Sequence, residues 1–505
     1  MGIPYYFYTL TQKYQNILVN VLPYNPDIYC IDFNGIIHAV AQNVIKYNQT
    51  NIDEKIIKEV WKKTVAYIDF MKPKKIIICA DGVAPLAKMA QQRKRRYLSV
   101  YRNKIDNITV KWDTNAITPG TDFMNKLNIY MKKQIKYIPM NVEIIYSGSD
   151  ETGEGEHKIF DKLLMENVND KIIINGLDAD LIILALLSHK RNIFLMRETA
   201  DPEQINVTYY LCINTLRGAI IQELISKWDI KLDSSNIYSQ ESNDLIESYC
   251  VACSIFGNDF IPHLPTLNTK IDGMEKLIKI TKSAIENNGL LVINGSINHS
   301  CLTDIFKNLS DTEDIDIFDQ CEKYIKKTVT KTTSNSDLYA IKNKDQVAYN
   351  IYNNKNKWRH EYYKGLFNTN ITLSSYTIFS SCENYIKGIY WTYAYYKKYD
   401  IDYNWYYPYN YPPTIKDIAN HAIANNPPKI IKNGDYVDSS VQLLTVLPRE
   451  SIELLSKKNR VYMEDIKAGF YHMYPSKYKI QTFLKTHLWE CSPILPTITI
   501  IKLPK

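Results

Sequence analysis

Four short apolar runs, each delivering carboxylates at its end, constrain this chain more than any other feature. Asp27–Phe33 (DIYCIDF) carries Asp32, and Lys75–Ala80 (KIIICA) is followed by Asp81-Gly82. Val142–Tyr146 (VEIIY) leads into a segment where Glu154 and Glu156 alternate with single glycines. Ile172–Ile174 is followed by Asn175-Gly176 and then by Asp178 and Asp180. Stretches long enough for helices, such as Asn51–Met71, separate the runs. Near-continuous apolar strands alternating with helices predict an α/β fold, with a mainly parallel central sheet covered by helices on both faces. Sites in such sheets form outside the carboxyl ends of the strands. Any one of these acids reads as an ordinary cap or turn residue, but four groups in register do not. Gly257-Asn258-Asp259, after the helical run Leu245–Phe256, offers Asp259 as a fifth contributor.

Carboxylates beside buried strands are costly unless they are paired or hold a metal. Several converging acids repel one another until cations neutralise them. Oxygen-only ligands suit Mg²⁺ or Mn²⁺, and two such ions can clamp both sides of an in-line phosphoryl displacement. The stretch Leu86–Lys104 supplies the opposite sign, with seven Lys/Arg and no acid. Read as a helix, it places Lys88, Gln92, Arg95 and Arg96 on one face close behind Asp81. Alone it reads as a solvated basic helix, and Arg93–Arg96 imitates a nuclear-localisation run. Beside the acids it reads as a phosphate pocket, in which arginine can fork onto two oxygens.

The remaining sequence narrows the class. A chain of 505 residues with 45% hydrophobic content can bury more than one domain, and a net charge of +7 confines any nucleic-acid surface to a local patch. Nine scattered cysteines form no disulfide framework, and Cys250-Val-Ala-Cys253 reads as core thiols. No apolar run reaches transmembrane length and no secretory signal opens the chain, so no membrane contact and a reduced, cytoplasmic compartment are expected, with the nucleus left open by the basic run. Three regions are expected: a nuclease core over 1–270, a connector or insertion over 271–356 centred on the polar stretch Lys326–Lys357, and a second, mostly helical region over 357–505. The last is rich in aromatics, which stack on bases without sequence preference. Most of them are expected in the core, with Trp405 as the individual candidate for stacking.

With these residues laid out, the sequence resembles the eukaryotic 5′→3′ exoribonucleases of the Xrn/Rat type, in a short form. Matching segments run nearly end to end: Met1-Gly2-Ile3-Pro4, Asp32 to His38, Asp81 to Pro85 with Lys88-Met89 and Gln91-Gln92-Arg93, Ile117 to Thr121, Gly153 to Ile159, Leu177 to Ile182, Gly257 to His263, Trp405 to Tyr409 and Val446 to Pro448. Tyr5, Tyr6 and Tyr8 depart from the basic and aromatic residues expected at the N-terminal helix. The resemblance implies a PIN/flap-nuclease-like core and a processive exonuclease for mRNA decay. It would use two Mg²⁺ to degrade single-stranded RNA from a 5′-monophosphate end and release nucleoside monophosphates. It implies Asp32, Asp81, Glu154, Glu156, Asp178, Asp180 and Asp259 as the metal cluster, and Lys88, Gln92, Arg95 and Arg96 as the terminal-phosphate pocket. His38 and Trp405 would sandwich the leading base. A decapping partner is left open. The competing readings are a flap- or PIN-like DNA nuclease and a catalytically silent RNA-binding scaffold.

Overall fold

The computed structural model describes residues 2–3, 5–47, 50–138, 142–176, 178–198, 208–225, 236–269, 271–328, 334–371, 375–501 and 503. Met1, Pro4 and Leu177 of the matching segments, and Lys270 at the expected domain boundary, lie outside them. Seven strands form one sheet: β1 (Leu18–Val19), β2 (Ile28–Asp32), β3 (Lys75–Cys79), β4 (Glu143–Ser147), β5 (Lys171–Asn175), β6 (Asn192–Glu198) and β7 (Thr208–Cys212). Their order is β1-β7-β6-β5-β2-β3-β4. The five strands from β4 to β6 are parallel, and β7 and β1 close one edge antiparallel.

The four apolar runs of the sequence are β2 to β5. Each places alternate side chains on opposite faces, so both faces need cover. Ile28, Cys30, Ile77, Cys79, Ile172, Ile174, Ile193 and Leu195 belong to one core. Tyr29, Ile31, Ile76, Ile78, Ile173 and Phe194 belong to the other. The second core is closed by buried residues of α2 (Phe33–Tyr47), α3 (Ile52–Met71) and α5 (Asp122–Gln134). The first takes α1 (Tyr6–Lys13), α6 (Gly155–Leu164), α7 (Asp180–Leu187), α8 (Ile213–Leu224) and α9 (Gln240–Ser254). Between β3 and α5 runs α4 (Leu86–Ile105), the basic helix.

The rest of the chain is mostly helical, with two short two-stranded ladders; most of it is continuous with the first core, and the last two helices pack with α4 in a separate one. It comprises α10 (Gly273–Asn288), α11 (His299–Ser310), α12 (Glu313–Lys326), α13 (Tyr339–Lys342), α14 (Gln346–Asn353), α15 (Trp358–Leu366), α16 (Ser375–Lys397), α17 (Ile415–Ala424), α18 (Ser439–Val446) and α19 (Lys457–Glu464). The stretch read as an exposed connector differs from that expectation where it is described. Ile341, Val347, Ala348 and Ile351 of α13 and α14 are buried in the core, and Ser336 donates to Asp106 at the end of α4. All nine cysteines are free thiols, eight of them buried, including Cys250 and Cys253 on α9. Among the described residues, no helix is long and apolar enough to cross a membrane.

Candidate active site

The parallel register sets the site. Asp32 pairs with Cys79, Cys79 with Ser147, and Ile31 with Asn175, so β2, β3, β4 and β5 end at one level. Asp32 is the last residue of β2, Asp81 follows β3 by two positions, Asp178 follows β5 by three, and Asp180 opens α7. From β4 the chain turns through Gly148–Gly153 and brings Glu154 and Glu156 in at the N-terminus of α6. The glycine between them has a steric reason. A Cβ on Gly155 would lie 2.8 Å from the Cys79 carbonyl oxygen and 3.3 Å from Asp32 Oδ1. Its backbone N–H donates to Asp81 Oδ1 at 2.7 Å. Asn34 fixes the other side of Asp81, its Nδ2 donating to Oδ2 at 2.9 Å. Asp259 arrives from the turn after α9 and accepts the Gly2 backbone N–H at 3.0 Å.

Electrostatics ties the seven carboxylates into one group. Burial first, and then the charges of Asp81 and Asp178, push the Asp32 carboxyl up to about 8. Burial, with Asp259 and Asp178 next, raises Asp180 well above its usual range. Burial also dominates at Glu156, where Asp178, Asp180 and Glu154 add to the rise against the pull of Lys88. Lys88 is the most deeply placed counter-charge, ion-paired to two of the acids. Its Nζ lies 2.5 Å from Glu154 Oε2 and 2.8 Å from Asp259 Oδ2, and those acids raise its ammonium pKa despite burial.

Lys88, Arg197 beside Asp178 and Arg95 beside Asp259 are fewer positive charges than the seven acids. Asp180 Oδ2 is buried without a hydrogen-bond partner among the described residues, and Glu154, Glu156 and His157 offer ligand atoms within 4.8 Å of one another. Burial holds the His157 imidazole pKa well below its usual value, so its nitrogen is not a competing cation. These oxygen-rich, under-neutralised donors fit a hard divalent cation.

The expected phosphate residues divide. Lys88 is engaged inside the acid cluster. Half-buried Arg96 donates through Nη2 to Thr118 Oγ1 at 2.8 Å and through Nη1 to Gln92 Oε1 at 3.4 Å, so Gln92 orients it. Arg95 is exposed and has no hydrogen bond or ion pair among the described residues. Arg93 differs from its neighbours. At 2% exposed it donates to the carbonyls of Met473 and Pro496, so Arg93–Arg96 is not an exposed basic tetrad. His38, on α2, is exposed to solvent, and surrounding protein together with Arg95 and Arg96 lowers its pKa to about 4 against the pull of Asp81 and keeps the ring neutral.

Trp405, expected to stack on a base, is 6% exposed, lies 5.2 Å from Trp391, and donates through Nε1 to Asn384 Oδ1 at 3.2 Å, so little of the ring is open here. Two partly buried tyrosines stand beside the start of α4, and one of them, Tyr436, feels the Glu154 charge. The Tyr403 carbonyl accepts the Leu86 N–H where α4 begins, and its ring meets Tyr436 edge-on at 4.8 Å. The sequence reading also missed Tyr395 of α16. Its hydroxyl donates to Glu154 Oε1 at 2.7 Å while its ring stacks on His157 at 4.1 Å. The forty tyrosines of the chain mask that position. Asn34 did have a signal, standing two residues past Asp32.

A parallel sheet with this many acids at its carboxyl edge, flanked by a basic helix, defines the sheet-edge, metal-dependent nucleases. The chain belongs to the XRN 5′-3′ exonuclease family: the family's N-terminal exonuclease model matches residues 1–199, and its helical-domain model matches 240–357 and 340–504. The helical-domain match runs through the stretch that sequence reading took for a connector. Among curated relatives, human 5′-3′ exoribonuclease 1 is 26% identical over 99% of this chain and 33% of its own length. Chicken 5′-3′ exoribonuclease 2 is 24% identical over 99% of the chain and 69% of its own length. Fission-yeast (Schizosaccharomyces pombe) 5′-3′ exoribonuclease 1 is 25% identical over 99% and 48%. The chain thus spans a third of the human relative and about half of the fission-yeast one.

Proposed function

We propose that this chain is a 5′→3′ exoribonuclease that hydrolyses single-stranded RNA from a 5′-monophosphate end, using two Mg²⁺, with Mn²⁺ as a substitute. The observation that carries the end specificity is Arg95. It is an exposed guanidinium without a protein partner among the described residues, on the same helix as the lysine that enters the acid cluster. In this reading Arg95 and Arg96 hold the terminal phosphate, and Gln92 and Thr118 fix the Arg96 fork. Holding the first nucleotide by its phosphate sets the next phosphodiester at the acids, so position and not base identity selects the bond.

Water adds to the phosphorus of that linkage, the bond from phosphorus to the 3′ oxygen of the leading nucleotide breaks, and that oxygen takes up a proton. The products are a nucleoside 5′-monophosphate and a chain one residue shorter that again begins with a phosphate. Divalent cations at the seven carboxylates would neutralise charge on the attacking and leaving oxygens. Lys88 and Tyr395 hold Glu154 in place from two sides. His38, with Tyr403 or Tyr436 in the place expected of Trp405, offers rings for the leading base. We place the activity in the cytoplasm, because the buried Arg93 takes the basic run away from a nuclear address.

The test is a 3′-labelled, 5′-monophosphorylated RNA incubated with Mg²⁺. Progressive shortening of the labelled strand, abolished by Asp178→Ala or Glu154→Ala with RNA binding retained in a gel shift, is expected. An Asp178→Ala variant of full activity would end the metal-cluster reading. A DNA strand degraded as fast as RNA would move the chain to the flap- or PIN-like DNA nucleases.

A further inference from the structure

The Tyr395 hydroxyl that holds Glu154 comes from α16, and another side of that helix is fastened to a buried carboxylate outside the acid cluster. Glu247, on α9, is 4% exposed. Its Oε1 accepts hydrogen bonds from Lys397 Nζ and His189 Nε2, each at 2.7 Å, and its Oε2 accepts the Tyr393 hydroxyl. Against the rise that burial alone would give, these three donors hold the carboxyl down at about 2, so it is an anion. Behind them Arg217 of α8, 1% exposed, faces the other ring nitrogen of His189 at 3.3 Å and donates to the Ile237 carbonyl and the Asn243 side chain. His189 reaches the cluster from a left-handed turn, φ +54°, just past the end of α7, the helix that Asp180 opens.

Tyr393 and Lys397 stand four residues apart and share a face of α16, while Tyr395, two residues from each, lies about 200° round the helix. On that far side its hydroxyl donates to Glu154 Oε1 at 2.7 Å, its ring stacks on His157 at 4.1 Å, and Lys398 donates to the His157 carbonyl at 3.0 Å. The last two turns of α16 are therefore held between α9 and the start of α6, with Glu247 gripping one side and Glu154 meeting the other. Replacing a buried ion pair by apolar groups of similar volume is often neutral or stabilising, so stability does not explain a carboxylate with three donors here. What it supplies is register, because its hydrogen bonds are directional and are satisfied at one rotation and one height of the helix. An α16 shifted by one turn would still bury aromatic rings, but it would strand the Glu247 anion and withdraw Tyr395 from Glu154. Resting on the exoribonuclease reading above, we propose that Glu247 is a positioning residue for the acid cluster: through Tyr393 and Lys397 it sets α16 so that Tyr395 holds Glu154 in the orientation that binds the cation.

The experiment uses the full chain with Mn²⁺ as the probe, its affinity read from the electron paramagnetic resonance signal of the free ion. Wild type is compared with Glu247→Gln, which keeps the shape and loses the charge, with Tyr395→Phe and with the double variant. Groups one step behind metal ligands commonly change affinity by about 10–100-fold. Each single change is expected to weaken Mn²⁺ binding about tenfold, and the double variant also about tenfold, because both act through one hydroxyl on one carboxylate. A role in stability alone would leave the Mn²⁺ affinity of the folded protein where it was. Should Glu247→Gln fail to fold, Tyr393→Phe removes one donor, leaves the ion pairs in place, and is expected to weaken Mn²⁺ binding by a smaller factor that again does not add to Tyr395→Phe. Unchanged affinity in the folded single variants, or a double variant weakened by the product of its single effects, overturns the positioning role and leaves the nuclease reading intact. A wild-type chain that binds no Mn²⁺ overturns both.

Discussion

Lys88 stands where the account is most exposed to test. Its ammonium is buried between Glu154 and Asp259 at 2.5 and 2.8 Å, with Glu156 and Asp180 close enough to raise its pKa. Lys88→Met keeps most of the stem and removes the charge. Breaking a buried ion pair from one side costs about 3–5 kcal/mol, because the abandoned charge stays desolvated. Tyr395 still donates to Glu154, which favours the lower part of that range. The acids of the variant have raised folded-state pKa values, so their penalty is absent below the unfolded carboxylate range and grows as pH rises. Urea titrations in chelator should therefore show a loss of about 3 kcal/mol at pH 7.5 and a smaller one at pH 5. Millimolar Mg²⁺ should recover more of the loss in the variant than it adds to wild type, since a divalent cation restores the missing charge. Wild-type stability of Lys88→Met in chelator would refute the charge argument. A loss that Mg²⁺ leaves untouched would show that these acids do not hold a cation.

Two further outcomes follow from the geometry. Gly2 has φ +48°, and a Cβ there would fall 2.2 Å from Asp180 Oδ1, so Gly2→Ala should lower Mg²⁺ affinity at least about tenfold with an unchanged circular dichroism spectrum; unchanged affinity would separate the N-terminal segment from the site. Far from the acids, burial pushes the Glu313 carboxyl up to about 7, although it accepts the N–H groups of Ile415 and Lys416 at the start of α17. Its raised pKa means stability is lost as pH rises from the unfolded value of 4.5 to about 7, by about 3.5 kcal/mol at about 1.4 kcal/mol per unit. Glu313→Gln should flatten the stability profile across that window, and a profile of the same slope would contradict it.

Much of the site was legible because strand ends are legible. Uninterrupted Ile-rich runs identified β2 to β5, and parallel pairing put their terminal acids at one level without further information. The antiparallel edge was not read: β6 (NIFLMRE) follows the apolar α7 closely, and β1 is only two residues long, too short for a period. Helical spacing placed Lys88, Gln92, Arg95 and Arg96 on one face, yet spacing is blind to what the face meets. Lys88 went to the acids, Gln92 to Arg96, and Arg95 to solvent. Neighbouring Arg93, one position off that face, was drawn into the packing between α4 and the C-terminal segments. The burial of Trp405 has the same kind of reason. A large aromatic gains most where it is fully buried, and the room beside Gly388, where a Cβ would lie 3.0 Å from its ring, supplies that burial.

Selection of a 5′-monophosphate is proposed to rest on Arg95, which has no hydrogen-bond or ion-pair partner among the described residues. The most direct measurement compares degradation rates of one RNA sequence bearing a 5′-monophosphate, a 5′-triphosphate or a 5′-hydroxyl, with wild type and with Arg95→Ala. Fast loss of the monophosphorylated strand alone is expected, with a preference that shrinks by at least about tenfold in Arg95→Ala, the size of a lost charge-assisted hydrogen bond. Equal rates on the three ends with wild type, or an undiminished preference without Arg95, would contradict it.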